Sequence, residues 1–347
     1  MGFFSSHSEY FLGVDFGMQS IKAVELKVIK GKPHLFNYGF VNVTNAKEVP
    51  DAYDKDHAQQ LKDALSQMLS QMKPQAKTAT VAIPSFNGLV TIVDFPRMNE
   101  KDIANAIQFE SRKYIPASLD EVNVSWEILK EDEKDAKKPT MRVLLVAAPK
   151  SEVKYYDSLF KDVDISIDSL ELESFSIVRS VIGSTQGRFV LVDFGAKTTN
   201  IVLVEDGVVC VNRSVDIGGY DVTGAMMKSL NITRERAIAL KESDENFFTG
   251  VTKIGFPSLN YVANEIKRVL SAQKSDKIEA LVLCGGASKL VGLPEYFKQL
   301  TGLNVTTGNP LSHIIFDEQN SGNMKTLSNE FAVALGLALR GVEEIKK

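Results

Sequence analysis

The chain has 347 residues, of which 44% are hydrophobic and 24% charged, so it is large enough to form two domains with separate cores. The formal net charge of −4 offers no basic surface for nucleic acid. No apolar stretch approaches the ~20 residues that span a bilayer, and neither the two cysteines nor the four histidines have metal-ligand spacing. The composition predicts a soluble cytosolic protein that neither binds nucleic acid nor inserts directly into a membrane.

The first distinctive feature is a strand near the N-terminus that ends in Val14-Asp15-Phe16-Gly17-Met18-Gln19-Ser20. A second strand is predicted at Ile21–Lys27, and the turn Lys30-Gly31-Lys32 leads into a third. A glycine at such a bend lets backbone N–H groups approach an anion closely, and the aspartate beside it can hold a hydrated metal ion. The hairpin is therefore a candidate phosphate-binding segment.

A helix at Asp54–Met72 and a strand at Thr78–Ile83 follow, and then the pattern changes to a compact α+β block over about residues 86–165. We interpret the block as an insertion in the first domain, with the charged run Lys130–Pro139 as a solvated hairpin loop. Its predicted elements are strands at Leu89–Phe95, Glu121–Leu129, Met141–Ala148 and Ile165–Leu170, and helices at Glu100–Tyr114 and Lys150–Phe160.

The opening phrase recurs after a helix at Leu172–Ile182 and a crossover at Gly183–Gly187. The second copy, Val192-Asp193-Phe194-Gly195-Ala196-Lys197-Thr198, again links strands and continues into a third. These strands are predicted at Arg188–Asp193, Thr199–Glu205 and Val208–Val215. One such hairpin alone is more often an ordinary tight turn, but two in matched contexts predict a nucleotide cleft between related halves.

The rest of the second half is predicted to contain a short, wholly apolar strand, Ala280–Cys284, which runs into Gly285-Gly286-Ala287-Ser288. A diglycine at this position leaves the backbone bare, so that an adenine or ribose can lie against it. Helices are predicted at Gly219–Leu230, Thr233–Leu240, Ser258–Gln273 and Asn329–Val342. The predicted domains are residues 1–185 and 186–347.

Two phosphate-binding alternatives fail on the sequence. Asp-Phe-Gly occurs in protein kinases, but the chain has no His-Arg-Asp catalytic loop, and Val81-Ala82-Ile83 is followed by Pro84 instead of the kinase lysine. A Walker P-loop is also absent from the sequence.

Together the two Asp-x-Gly hairpins and the diglycine strand resemble the actin-like ATPase superfamily, which includes actin, heat-shock chaperone ATPase domains, sugar kinases and the division protein FtsA. The resemblance implies an α/β fold of two actin-like (ribonuclease H-like) domains around a cleft for ATP and Mg²⁺. Asp15 and Asp193 would hold the metal through water, and Glu173, on the first connecting helix, would orient an attacking water. The implied cofactor-binding residues are Asp15, Gly17, Met18, Gln19, Ser20, Lys22, Asp193, Gly195, Ala196, Lys197, Thr198, Lys267, Arg268, Gly285, Gly286, Ala287 and Ser288.

The block from Phe109 to Pro116, with Leu119–Val122 and Trp126–Leu129, is similar to the inserted subdomain of the PilM family of type IV pilus assembly. This resemblance implies a cytoplasmic scaffold with slow or no ATP hydrolysis, held at the inner membrane by the N-terminal peptide of a PilN-like protein. Other pilus components are implied partners. A peptide groove is expected near the insertion, Gly88–Asp164, and its Tyr114-Ile115-Pro116 turn.

Two other classes stay open: an FtsA-like division or filament protein, and a kinase of the same superfamily. The first would carry a C-terminal amphipathic membrane helix after a linker, whereas this sequence ends at Lys347, soon after its last predicted helix. The second would need a polar substrate pocket with a catalytic carboxylate, for which the sequence offers no candidate. Self-association into a homo-oligomer is not decided by the sequence.

Overall fold

The computed structural model describes residues 9–43, 55–115, 117–132, 140–250, 253–273, 277–316 and 328–345. The first half contains β1 (Tyr10–Phe16), β2 (Ser20–Ile29), β3 (Lys32–Asn42), α1 (Lys55–Met72) and β4 (Thr78–Ile83). An inserted block follows, with β5 (Leu89–Pro96), α2 (Glu100–Glu110), β6 (Val122–Asp132), β7 (Thr140–Pro149) and α3 (Lys150–Phe160). The chain then returns to the first half through β8 (Ser166–Leu172) and α4 (Glu173–Val181).

The second half opens with β9 (Arg188–Phe194), β10 (Thr199–Glu205) and β11 (Val208–Val215). Helices α5 (Gly219–Leu230), α6 (Arg234–Lys241) and α7 (Pro257–Ala272) precede β12 (Ala280–Cys284). The remaining elements are α8 (Leu293–Thr301), β13 (Val305–Thr307) and α9 (Ala332–Glu344).

The two halves contain sheets of the same topology. The first sheet has the order β3-β2-β1-β4-β8 and the second the order β11-β10-β9-β12-β13. In each, three antiparallel strands are followed by two that run parallel to the first strand. Strands such as β10, buried along almost their whole length, are typical of sheets covered on both faces. The fold is therefore a repeated mixed sheet with helices around it.

Helix α9 returns from the end of the described chain to pack on the first sheet. A Cβ added at Gly13 of β1 would lie 2.3 Å from the carbonyl oxygen of Ala334, so only glycine allows this approach. Helix α9 also crosses α4, where a Cβ at Gly336 would lie 1.7 Å from the carbonyl oxygen of Ser176. The two helices touch backbone to backbone at this point.

The ion pairs of Glu171 reinforce the crossing of α4 and α9. Its carboxylate accepts two hydrogen bonds from Arg179, at 2.6 and 3.1 Å, and one from Arg340 of α9 at 3.2 Å. Arg179 also donates to the carbonyl of Gly336 at 2.9 Å. These bidentate, largely buried contacts are geometrically specific, and they fix how the two helices cross.

The inserted block has its own sheet, β5-β7-β6, and a small core beneath α2. Helix α2 begins at Asn99, whose side chain accepts a hydrogen bond from the Asp102 backbone N–H at 2.9 Å, as an N-cap does. The block joins the first half through Ser85 at its start and through α3 and β8 at its end. The core contains Val93, Phe95, Ile103, Ile107, Met141, Val143 and Leu145.

Some predicted elements differ from those observed. The predicted helix Glu100–Tyr114 is α-helical only to Glu110 and continues as a 3₁₀ turn, Ser111–Lys113. Residues 130–132 of the predicted charged loop are strand, because they pair with Thr140–Arg142 of β7; residues 133–139 lie outside the described residues. Helix α8 was missed. The predicted domain boundary at residues 185 and 186 falls between α4 and β9 and stays a prediction.

Candidate functional site

The first hairpin, β1–β2, places Asp15 opposite Lys22 and Phe16 opposite Ile21. The Gly17 N–H donates to the Ser20 carbonyl at 3.0 Å and closes the turn. Asp15 is only 6% exposed, and Lys22 Nζ lies 3.7 Å from its Oδ2 atom. Burial raises the pKa of the Asp15 carboxyl, and the charge of Lys22 opposes the shift.

The second hairpin, β9–β10, repeats this register with Asp193 opposite Asn200 and Phe194 opposite Thr199. The Gly195 N–H donates to the Thr198 carbonyl at 3.0 Å, as Gly17 does in the first copy. Among the described residues, no protein acceptor is found for the backbone N–H groups of the turn residues Met18, Gln19, Ala196 and Lys197. Each turn can therefore offer N–H groups to an anion.

The first residues of α5 hold the second turn in place through backbone hydrogen bonds. The N–H groups of Gly219 and Tyr220 donate to the carbonyls of Gly195 and Ala196, each at 2.9 Å. A Cβ at Gly218 would lie 2.6 Å from the Ala196 carbonyl oxygen, so the approach requires glycine. The carbonyls of Gly195 and Ala196 are thus bonded to α5, while the N–H groups of Ala196 and Lys197 have no acceptor among the described residues.

The diglycine segment lies against the second hairpin. Cys284, the last residue of β12, is opposite Asp193, and Gly285 follows with a φ of +81°. A Cβ at Gly285 would lie 2.5 Å from Asp193 Oδ1. The Ser288 hydroxyl donates to the Gly285 carbonyl at 2.7 Å and holds the turn closed. The structure thus brings residues 285–288 beside the second hairpin.

Glu173, the first residue of α4, is bonded to the second hairpin and to the start of the inserted block. Its Oε2 atom accepts hydrogen bonds from the Ser85 backbone N–H at 3.1 Å and from Asn200 Nδ2 at 3.2 Å. Burial, and then the charges of Asp15 and Asp193, raise the pKa of Glu173 to about 8. The structure brings the predicted catalytic carboxyl and both predicted metal-associated aspartates to one place.

Asp193 shares this environment and is half-buried. Burial of the carboxyl and the charge of Asp15 raise its pKa to about 6, while the Asn200 hydrogen bond and Lys22 oppose the rise. Three acids with raised pKa values form a site that favours a cation. In the described part of the chain, no three His, Cys, Asp or Glu side chains are grouped to ligate a metal directly.

Lys241, at the end of α6, is a cation of the cleft that the sequence analysis missed. Its Nζ atom donates to Thr223 Oγ1 at 3.1 Å and to the Gly219 carbonyl at 3.4 Å. A Cβ at Gly219 would lie 3.5 Å from this nitrogen and 3.7 Å from the Ala287 Cβ. Burial lowers the pKa of Lys241. A nearby anion would favour its charged form; no sequence motif marks this residue.

Lys267 and Arg268 lie on α7, and their predicted contact with adenosine stays a prediction. Arg268 donates to Glu265 Oε1 at 2.5 Å on its own helix, and Arg213 reaches Glu265 Oε2 at 2.5 Å. Lys267 is exposed on α7. No contact among the described residues joins either side chain to the hairpins or to residues 285–288. The ion pair with Glu265 gives Arg268 a structural role on α7.

A groove of about 500 Å³ lies where the inserted block meets the first sheet. It lies at the start of β8, which is an edge strand, and beside the C-terminal end of α3. Its lining residues are Lys77, Asp157, Phe160, Lys161, Val163, Asp164, Ile165, Ser166 and Ile167.

The described residues of the Tyr114-Ile115-Pro116 turn, near which a peptide groove was expected, do not line this groove. Ile115 is 5% exposed and fills a small core with Val122 and Ala147, whereas Tyr114 is exposed. Pro116 lies outside the described residues.

Two matching sheets with an acidic hairpin in each define the actin-like ATPase fold, and solved structures of this fold match nearly the whole chain. The PilM–PilN type IV pilus biogenesis complex matches with a TM-score of 0.80 and 24% identity, covering 97% of this chain and 99% of that chain. EutJ, an ethanolamine utilization protein from Carboxydothermus hydrogenoformans, matches with a TM-score of 0.57 and 17% identity, covering 96% of this chain and 90% of that chain. MreB5 of Spiroplasma citri, bound to ADP, matches with a TM-score of 0.53 and 12% identity, covering 98% of this chain and 99% of that chain.

A curated relative is the cell division protein FtsA of Rhizobium meliloti (strain 1021). It is 27% identical over 150 residues, a match that covers 35% of this chain and 34% of that protein. The chain thus spans about a third of the length of this relative. The family match is far more extensive, since the type IV pilus assembly protein PilM family matches residues 13–342. The chain belongs to this family.

Proposed function

We propose that this chain binds ATP with Mg²⁺ between its two hairpins and acts as a cytoplasmic scaffold of type IV pilus assembly. Its proposed partner is the N-terminal cytoplasmic peptide of a PilN-like inner-membrane protein, which holds the scaffold at the membrane. The observation that carries the nucleotide proposal is the meeting of Asp15, Glu173 and Asp193 between two turns with open N–H groups.

The residues present fit a metal–polyphosphate. The turns at Gly17–Gln19 and Gly195–Lys197 would hold phosphate oxygens through backbone N–H groups, with Ser20 and Thr198 as nearby hydroxyls. Asp15 and Asp193 would hold the metal through water. Bound Mg²⁺ neutralises phosphate charge and lowers the repulsion between the acids.

Other residues have more specific proposed roles. Glu173 would orient water if hydrolysis occurs, because its carboxyl is close enough to both aspartates for their charges to raise its pKa and is fixed by two hydrogen bonds. The bare backbone at Gly285 and Gly286 would lie against the nucleoside. Lys241 is the better-placed cation for the nucleotide than Lys267 or Arg268, because it lies beside Gly219 and Ala287.

The peptide proposal is supported by the groove along β8. An edge strand leaves one row of backbone N–H and C=O groups unpaired, and an extended peptide can pair with such a row. The groove offers apolar contact at Phe160 and Ile165 and both signs of charge at Lys161 and Asp157. One solved structure that matches nearly the whole chain is itself a complex of PilM with PilN.

The nucleotide proposal is tested by titrating ATP·Mg²⁺ by calorimetry into wild type and Asp193→Ala. We expect affinity to fall at least tenfold, because the variant loses the carboxylate that would hold metal-bound water. Asp216→Ala, which removes an exposed aspartate after β11, is the matched control and should bind as wild type does. Equal affinity of all three proteins would contradict the assignment.

A second measurement separates hydrolysis from binding. Glu173→Gln keeps the size and hydrogen bonding of the side chain but removes its basicity, so any turnover should fall at least tenfold while ATP binding persists. Phosphate release over hours provides the readout. Turnover that survives the change would remove Glu173 from this role, and undetectable wild-type turnover would support a binding-only scaffold.

A further inference from the structure

Helix α3 touches both the groove and the first phosphate hairpin. Phe160 lines the groove, yet its side chain is only 5% exposed, and its ring centroid lies 6.0 Å from that of Phe16 in an edge-to-face arrangement. Tyr156, one turn earlier on α3, lies 5.5 Å from the same Phe16 ring. Phe16 stands between Asp15 and Gly17, so two aromatic residues of α3 pack directly on the phosphate hairpin.

Tyr156 also lies within the electrostatic field of the cleft. Burial raises the pKa of its hydroxyl well above the ordinary value, and the charges of Glu152, Glu173 and Asp15 add to the rise. A ligand that neutralises the acids of the cleft therefore changes the surroundings of Tyr156 as well. Helix α3 is linked to the cleft by the packing of its aromatic rings on Phe16.

The start of the inserted block makes a second, independent connection. The Ser85 N–H donates to Glu173, and the Ser85 hydroxyl accepts from the Ser174 N–H at 3.2 Å. From the other half of the protein, Asn212 Nδ2 donates to the Ser85 carbonyl at 3.3 Å. Both places where the block leaves the first half are thus attached to residues that face the cleft.

These contacts leave little room for independent movement. Aromatic rings packed at native density transmit a displacement instead of absorbing it. A side chain entering the groove against Phe160 would therefore press on Phe16, and Phe16 is covalently continuous with Asp15 and the Gly17 turn. A rearrangement of the turn around phosphate would act in the opposite direction.

We propose that α3 couples the groove to the nucleotide cleft through Phe160, Tyr156 and Phe16, so that a bound peptide changes nucleotide affinity and a bound nucleotide changes peptide affinity. The inference rests on the proposed function, because it requires a ligand at each site. It adds that the two ligands are not bound independently. Thermodynamic linkage requires the two changes to be equal in size.

The test measures ATP·Mg²⁺ affinity by calorimetry with and without a saturating synthetic peptide from the N-terminal segment of the PilN-like partner. Peptide affinity is measured in the same way with and without nucleotide. For each ligand, the ratio compares its affinity in the presence of the other ligand with its affinity alone. We expect the two ratios to be the same, with a change of about fivefold or more. In Phe160→Leu the ratio should approach one, because the shortened side chain no longer reaches Phe16. Tyr156→Phe, which removes only the hydroxyl and keeps the ring against Phe16, should keep the ratio close to that of wild type.

The matched control is Phe95→Leu, a buried phenylalanine in the core of the inserted block that is 3% exposed and belongs to a separate cluster. It should keep the wild-type ratio even though it loosens the block. A ratio of one in wild type with both ligands bound would overturn the coupling but leave the proposed function intact. An unchanged ratio in Phe160→Leu would overturn this route. Failure of the wild type to bind either ligand would overturn the proposed function and the coupling with it.

Discussion

At the scale of single residues, the unusual feature is a glutamate with a raised pKa beside two aspartates. Glu173, Asp15 and Asp193 oppose each other's ionisation, and Lys22 provides a positive charge beside Asp15. Like charges in partial burial destabilise the folded state unless a cation or a proton relieves them. At neutral pH Glu173 therefore retains a proton that the unfolded chain would release, because its pKa is about 8 in the folded protein.

This arrangement predicts how stability depends on pH. The pKa of Glu173 is about 8 in the folded protein against 4.5 ordinarily, so the folded state binds more protons than the unfolded state between these values. The free energy of unfolding should fall as the pH rises through this interval, since the stabilising contribution is complete below the lower value and lost through the upper one. Asp193, with a pKa of about 6, contributes in the same direction.

Glu173→Gln should remove most of this dependence. Between pH 5.5 and pH 8.5, the free energy of unfolding of the nucleotide-free wild type should fall by about 1–3 kcal/mol more than that of the variant. The reason is that a neutral amide needs no proton. Urea unfolding at the two pH values provides the measurement. Glu245→Gln, at an exposed glutamate, is the control and should leave the wild-type difference unchanged. A variant that loses stability in parallel with wild type would show that Glu173 is already ionised at neutral pH.

At the scale of elements, the close crossing of α4 and α9 is the most constrained contact. Gly336 allows α9 to approach the Ser176 carbonyl, and the Ser180 hydroxyl donates to the Ala332 carbonyl at 2.7 Å. Side chains are excluded between the helices at this point. Any added atom must push the helices apart.

Gly336→Ala should therefore destabilise the protein by about 3 kcal/mol, because its methyl group would overlap the Ser176 backbone. Gly224→Ala on α5 is the matched control, since a Cβ there meets no atom within 4 Å. Removing a glycine from an open helical position should stabilise by about 0.5–1 kcal/mol. Chemical denaturation of both variants gives the comparison. Equal effects would mean that the crossing relaxes without cost.

Much of the element pattern was predictable from local sequence. Strands β4 and β12 and helix α3 begin and end where their apolar patterns predict. Helix α8 was missed even though glycines at 292 and 302 flank it in the left-handed conformation and Pro294 lies in its first turn. The three-residue strand β13 is too short to give a periodic signal, and its pairing with β12 defines it.

The site was predictable only in part, for a physical reason. The two hairpins and the diglycine are local turns whose glycines appear directly in the sequence. The contacts of Glu173 with Ser85 and Asn200 join residues 88 and 27 positions apart, so the tertiary fold creates them. Lys241 and Tyr156 were not predicted, because neither lies in a motif and both reach the cleft from elements assigned to other roles.

At the scale of the whole molecule, the expected location in the cell follows from the proposed partner. Among the described helices, none combines the length and the apolar composition that a bilayer span requires. In the function proposed above, the PilN-like protein holds the chain at the membrane. The groove along β8 is the surface to which we assign this contact.

A fluorescent fusion should accordingly give a peripheral signal in cells with the PilN-like partner and a diffuse signal in cells without it. Ile167→Asp, which places a charge in the groove, should also give a diffuse signal, because an apolar peptide side chain would meet a carboxylate. Val291→Asp, at an exposed position in the second half, is the control. Peripheral signal that persists after deletion of the partner would indicate direct attachment to lipid.

The repeated strand order has one more consequence. The two sheets place an aspartate at the same position, but its cross-strand neighbour is a lysine in one and an asparagine in the other. The two sides of the repeated scaffold therefore differ in charge. Asp15 is paired with the positively charged Lys22, whereas Asp193 and Glu173 both interact with the neutral amide of Asn200. A ligand turned end for end would meet mismatched charges on both sides. The near-symmetric fold thus gives its cleft a polarity, and that polarity selects a single orientation for whatever binds there.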